Sequence, residues 1–336
     1  MKKRVSITVA LWLGFYHVPG LAVEGRVPLI GPTTITVPGS YIVTQDFSVA
    51  TGDGITISAN DVTLDLNGHT ITLTQGTGVR VTSGFSAIRI RNGRLLGGYA
   101  GITASQGGGN LVISIERVQI ENPQQGGILI EHPRVVEILE SIVRLLPTSG
   151  IAISAYSGAG PFTGRLIDNT VESVYGSAIQ LLGCYDIDIR GNSVRRTGTG
   201  QFDSGVGIDL ACTGVRIVGN SVSHASGGAG LGIRLNTPSN NNLILENTLS
   251  GFSRGIEIQT NGNRVAGNVV GAATSHGIEV NGQRNVIENN QIEGNGGCGI
   301  SFVTNSNNAY RSNTLRGNSG GAVCGVANTD GGGNIL

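Results

Sequence analysis

Lysine is all but missing from this chain of 336 residues: Lys2 and Lys3 are the only two, both at the very start. Schiff-base chemistry and a catalytic lysine are thereby excluded for everything downstream. Charged residues of all kinds reach only 13 % and aromatics 4 %, with a single tryptophan. Yet 39 % of the chain is hydrophobic, too much apolar and too little charged matter for a disordered polymer. What is abundant is glycine, 55 residues. At roughly 1 kcal/mol of helix penalty each relative to alanine, that many glycines rule out an all-α fold.

The start of the chain has its own logic. Lys2, Lys3 and Arg4 precede an apolar stretch over 5–15, and Gly20-Leu21-Ala22 supplies small residues for cleavage. Residues 1–22 therefore read as a secretory signal peptide, too short to span a bilayer. Removing them leaves 19 Arg against 22 acidic residues, a net charge of −3. The expected protein is secreted or periplasmic and not membrane-embedded. A slightly acidic chain is also a poor partner for nucleic acid, where phosphate neutralisation supplies most of the affinity.

The rest of the chain repeats. Gly-Ile-x-Ile or a near relative recurs with its first aliphatic at Ile55, Val79, Ile102, Ile128, Ile151, Ile179, Ile208, Ile233, Ile256, Ile278, Ile300 and Val323, at spacings of 22 to 29 residues. An Asn followed two positions later by an aliphatic keeps step with it, from Asn169/Val171 through Asn192, Asn220, Asn247, Asn268 and Asn290 to Asn313/Leu315. Within each unit the apolar period is two, and Asn and Gly separate three short strand fragments. The spaced leucines and helical segment of leucine-rich repeats are missing. The expected fold is all-β: a right-handed parallel β-helix of about 12 coils, three strands per coil, in a rod on the order of 55 Å long. Residues 50–336 form this domain and 23–49 a cap segment. The asparagines are expected to bond along a ladder in a tight turn, not to bind a ligand.

Val37-Pro38-Gly39-Ser40-Tyr41, Gly54-Ile55-Thr56-Ile57 and Val62-Thr63-Leu64-Asp65-Leu66-Asn67-Gly68-His69-Thr70-Ile71 resemble the opening of secreted bacterial right-handed β-helix repeat proteins of the pectin-lyase-like superfamily. The resemblance covers about 30–336. It implies the fold, and a substrate lying on the outer face of one sheet. That superfamily holds lyases, hydrolases, epimerases and adhesins, so it implies no one activity.

Four cysteines in an exported chain imply disulfides, with three connectivities open. Register favours Cys184–Cys212 and Cys298–Cys324, each pair one coil apart. No Cys-x-x-Cys spacing or Cys/His cluster in the sequence indicates a metal site.

On the outer face of the Gly-Ile-x-Ile strand, the residue after each inward aliphatic is bland at Thr103, Leu129, Ala152 and Gln180. It is then charged on four consecutive coils: Asp209, Arg234, Glu257 and Glu279. Adjacent rungs lie about 5 Å apart, the carboxyl spacing of retaining glycosidases, and alternate rungs about 10 Å, near that of inverting ones. His276 and Arg254 sit at the edge of this face. Two long insertions flank it, 155–164 and 195–205, bringing Asp203, Phe162 and Phe202 as candidate substrate contacts. A pectate-lyase-like reading would give Asp209, Glu257 and Glu279 to Ca²⁺, with Arg234 or His276 as base. The motif sets of the polygalacturonase-like, pectate-lyase-like and alginate-epimerase families are not reproduced: Ser275-His276-Gly277 is a partial match, and Asn328-Thr329-Asp330 follows it instead of preceding it. The expected function is a secreted protein that binds, and as an enzyme would cleave, a polysaccharide or cell-surface glycan on this face. The alternative is a non-catalytic, adhesin-like rod, for which an Asp–Arg–Glu run is an ordinary charge-balanced ladder.

Overall fold

The computed structural model describes residues 25–105, 110–155, 160–196, 205–225, 230–304 and 307–336. The proposed signal peptide, Phe202 and Asp203 lie outside the described residues. No helix among those described is long and apolar enough to cross a membrane.

Among the described residues, thirty-five short strands wind as a parallel solenoid of three stacked sheets. The first sheet stacks the Gly-Ile-x-Ile strands: Ile151 pairs with Ile179, Ile179 with Ile208, Ile208 with Ile233, and so on to Ile300 with Val323. A second stack runs through Ile138, Leu166, Ile189 and Ile217, and a third through Val143, Val171, Val194 and Val222. Apart from the half-buried Val323, all of these side chains are buried, so the three inward rows meet in one continuous core. The segment 27–49 carries strands Val27–Leu29, Thr33–Ile35, Gly39–Val43 and Phe47–Val49, which pair in parallel within this coil and with the next.

The glycine that opens each Gly-Ile-x-Ile phrase has a steric cause. A Cβ at Gly54, Gly78, Gly127, Gly232 or Gly277 would stand 2.4–2.8 Å from a backbone oxygen of the next coil. It would also meet an aliphatic of the third sheet, such as Ile71 beside Gly54 and Leu249 beside Gly232. The corner between third and first sheets closes that tightly only with no side chain there.

The asparagines form the expected ladder at the corner between the second and third sheets. The backbone N–H and Nδ2 of Asn169 both donate to Oδ1 of Asn192, at 2.9 and 3.0 Å. The same pair of bonds links Asn192 to Asn220, Asn220 to Asn247, Asn247 to Asn268, Asn268 to Asn290, Asn290 to Asn313 and Asn313 to Asn334. A second ladder, not anticipated from sequence, runs through Asn242, Asn263, Asn285, Asn308 and Asn328. Outside the sheets, carboxylates sit between two arginines on the coils above and below. Glu121 is held by Arg94 and Arg144, and Glu288 by Arg264 and Arg311. Hydrogen bonds from Arg311 and Arg264 hold the Glu288 carboxyl below its usual value against the opposing effect of burial. At Glu121 burial pushes up, but Arg94, Arg144 and Gln119 outweigh it.

Replacing Asn247 with Ala leaves the buried Asn220 N–H without its acceptor, at about 1–3 kcal/mol, and also removes one bond of Asn220 Nδ2 and the bond of Asn247 Nδ2 to Ile217 O. The expected loss, on the order of 2–5 kcal/mol, is measurable by urea unfolding, and a change below 1 kcal/mol would contradict the ladder's role. The glutamate triads set a pH dependence. Because the folded carboxyls lie below the ordinary value of 4.5, their stabilisation is complete above it and lost as pH falls through the folded value. Glu288→Gln should therefore lower the thermal midpoint at neutral pH and lose its difference from wild type in acid.

Candidate functional site

Four charges of the first sheet lie on consecutive rungs. Asp209 on Val206–Thr213 pairs with Arg234 on Leu231–Leu235, Arg234 with Glu257 on Arg254–Ile258, and Glu257 with Glu279 on Ile278–Val280. The parallel register puts them in one row because each follows an inward isoleucine. Their exposure is unequal. Asp209 keeps 2 % of its side chain exposed, Glu257 10 % and Glu279 14 %, against 27 % for Arg234 and 35 % for Arg254. The carboxylates lie low on the sheet and the guanidiniums stand over them.

Asp209 is fully engaged. Arg234 donates to it through Nε and Nη2 at 2.9 and 2.8 Å, and Gln180 and Asn236 each add a bond at 3.3 Å. This bidentate bond, with the charges of Asp209 and Glu257, pushes the Arg234 guanidinium further up despite partial burial. A guanidinium held this way is a fixed positive charge and not the base assigned to it from sequence. Arg254 reaches in from the sheet edge and spans both glutamates, with Nε to Glu279 Oε2 at 2.9 Å and Nη1 to Glu257 Oε1 at 3.4 Å. It supplies the cation that two carboxylates on adjacent rungs require.

His276 sits on the coil after Arg254. Its Nδ1 accepts a hydrogen bond from the Cys298 N–H at 3.0 Å, and its Nε2 faces Glu279 Oε2 at 4.0 Å. A neutral ring bonded in this way carries its proton on Nε2, so toward the face it is a donor and not the base expected from sequence. Gly297 leaves room for the ring, since a Cβ there would meet Nδ1 at 2.7 Å.

Both expected disulfides are present, Cys184–Cys212 and Cys298–Cys324, with Cα atoms 4.7 and 6.0 Å apart. The ligating atoms of His276, Cys298 and Cys324 cluster within 4.8 Å. The disulfide joins the two sulfurs, which leaves no thiolate to hold a metal. Phe162 corrects the sequence reading. Expected in a loop beside the face, it begins the strand Phe162–Ile167, opposite Cys184, and is wholly buried in the core. Its apolar bulk in a sequence-level insertion gave no sign that the second sheet resumes there.

Sequence reasoning also missed a cleft of about 760 Å³ on the earlier coils. It runs along the corner between the third and first sheets, from Leu73 and Thr74 to Tyr175. Gly97-Gly98, Pro123 and Pro147, about one coil apart, were the available signal.

A stacked parallel solenoid with this register is the architecture of β-helix proteins. The sequence agrees: the model of the family described as right handed beta helix region matches residues 100–285 and 162–336, and the chain belongs to that family. No curated protein matches the chain significantly by sequence. Among solved structures it is similar to the A-module of Azotobacter vinelandii mannuronan C-5 epimerase AlgE6, at 17 % identity and TM-score 0.51, covering 93 % of this chain and 91 % of that one. It is also similar to the periplasmic alginate epimerase AlgG, at 14 % identity and TM-score 0.51, covering 89 % and 79 %. Aligned with a mutant of AlgG, at 14 % identity and TM-score 0.48, it covers 82 % of this chain and spans 63 % of the other's length. At these identities the likeness is one of fold.

The Cys298–Cys324 bridge ties the last coil to the one before it across a 26-residue separation. Reduction should cost about 3.5 kcal/mol by the loop-entropy estimate. A Cys298→Ser/Cys324→Ser variant should lower the melting midpoint and admit limited proteolysis at the C-terminal coil first, read by mass spectrometry of the fragments.

Proposed function

We propose that this chain is an exported glycan-binding β-helix protein whose ligand is an acidic polysaccharide lying along the Arg234–Arg254 face. The observation that carries the reading is the vertical order of charge: the less exposed carboxylates beneath, the more exposed guanidiniums above. A ligand approaching the sheet meets the remaining N–H groups of two guanidiniums one rung apart and an imidazole N–H, a donor set suited to carboxylate or sulfate groups spaced along a polymer. The similar solved structures are alginate epimerases by name, which accords with a polyuronate. Two disulfides accord with an oxidising compartment.

The same face has one chemistry within reach. Arg254 neutralising a uronate carboxylate would acidify the neighbouring C–H, with Glu257 or Glu279 as the group to take that proton and His276 Nε2 as a donor. Glycoside hydrolysis fits less well, because the oxygens of Asp209 are committed to Arg234, Gln180 and Asn236. Ca²⁺ held by Glu257 and Glu279 would first have to displace Arg254 from both, so direct guanidinium–carboxylate contact is preferred here. The non-catalytic rod is the second reading, favoured by that same full pairing of the charges.

Titration calorimetry with alginate and polygalacturonate oligosaccharides tests the proposal. Arg254→Gln should weaken binding about tenfold, the loss of one good charged contact. The double variant Asp209→Asn/Arg234→Gln removes the second cation without leaving a buried charge alone, and should do likewise. EDTA should change nothing. Equal binding by wild type and both variants would sink the assignment. Deuterium uptake at uronate C5 from D₂O, unsaturated products and new reducing ends then separate epimerase, lyase and hydrolase chemistry from the non-catalytic rod, which would give none of them.

A further inference from the structure

We infer that the cleft on the earlier coils is a second glycan site, built for uncharged sugar units, and that it is independent of the acidic-glycan reading of the Arg234–Arg254 face.

The cleft crosses five successive corners between the third and first sheets, so at about 4.8 Å per rung it extends about 19 Å along the rod. Its volume of about 760 Å³ lies within the range of ligand sites. An elongated ligand, not a single small molecule, fits that shape. At the second of these corners Gly97 and Gly98 let the backbone lie close against the preceding coil, so that no side chain stands up into the cleft there. Both have positive φ, +76° and +75°, and a Cβ at Gly98 would meet the Gly76 oxygen at 2.7 Å and Leu73 Cβ at 2.9 Å.

The lining contains no charged residue, in contrast to the later face. Apolar area comes from Tyr175 and Leu145, which keep 47 % and 52 % of their surface exposed at one end of the cleft. Leu145 holds this position at φ +61°, a left-handed conformation that a leucine adopts at a cost. Asn122 and Gln124 bring amides and Thr74 a hydroxyl. A flat apolar aromatic beside neutral amide and hydroxyl groups matches a pyranose, which has an apolar C–H face and a hydroxyl rim. An extended peptide fits less well. The corner backbones already bond to each other, Gln124 N–H to Gly98 O and Tyr175 N–H to Leu146 O, so no open strand edge is offered.

The test uses the full chain and four neutral hexasaccharides: cellohexaose, mannohexaose, maltohexaose and laminarihexaose. Saturation-transfer NMR should show at least one of them bound, with saturation reaching ring C–H protons. Tyr175→Ala should weaken that ligand about tenfold, while Tyr175→Phe, which keeps the stacking face, stays within about twofold. Arg254→Gln should leave neutral-sugar binding unchanged, which separates this site from the acidic-glycan face in either direction of failure. Melting midpoints of the Tyr175 variants check that the corner remains folded. No binding by any of the four at millimolar concentration overturns the proposal. So does undiminished binding by a folded Tyr175→Ala, or binding of a Leu/Phe-rich decapeptide in place of the sugars.

Discussion

The structure depends on amide groups that have nowhere else to bond. A solenoid turns three times per coil, and every turn leaves backbone donors at a buried corner, away from water and without a ladder partner. At the corner between the second and third sheets, one asparagine oxygen per coil takes one of them, together with the side-chain N–H of the same asparagine on the coil before. Each Asn side chain also returns a bond to a backbone carbonyl, as Asn220 Nδ2 does to Ile189 O at 3.0 Å. The corner is thus satisfied internally, and the apolar rows can close over it.

The absence of lysine downstream acquires a meaning beside the charged triads. A carboxylate between two coils needs donors from above and below that reach about 5 Å across a rung in a fixed plane. Guanidinium forks meet that geometry at Glu288 and Asp209, and at Glu121 Arg94 and Arg144 each reach one oxygen through Nη2, whereas a single ammonium brings no planar pair of donors. Arginine is therefore the structural cation of this rod before it is a functional one, and the proposed glycan face reuses the same device through the N–H groups that Arg234 and Arg254 have left over.

The repeat made the fold legible. Because every coil restates the same phrase, register follows from spacing alone, and with it the row from Asp209 to Glu279 and both disulfides. What spacing could not convey is height above the sheet. Nothing in the order Asp-Arg-Glu-Glu says that Asp209 is sunk to 2 % exposure, or that Arg254, off the row, leans over two glutamates. Phe162 was misplaced because an irregular spacing looks like a loop until its strand is seen pairing with Cys184. The cleft escaped notice because its lining comes from five corners that share no repeated phrase, from Leu73 to Tyr175. The second asparagine ladder begins only at Asn242, in the later coils, too short a run to stand out beside the first.

The first ladder also has a direction. In every link the amide hydrogens point toward the C-terminal end and the oxygens toward the N-terminal end, so seven links from Asn169 to Asn334 add their dipoles head to tail. The stack is an electrically polar column inside a protein whose parallel strands share one sense of winding. Its positive end emerges at Asn334, where the Asp330 carboxylate receives the last Nδ2 hydrogen at 2.7 Å. Its negative end begins at Asn169, whose oxygen accepts the Ser141 N–H at 3.0 Å. A column of this kind polarises each added link, so it grows firmer with length. Lengthening the rod by one whole coil would thus extend an existing field, while a fractional coil would cut the column and leave two facing ends inside the protein.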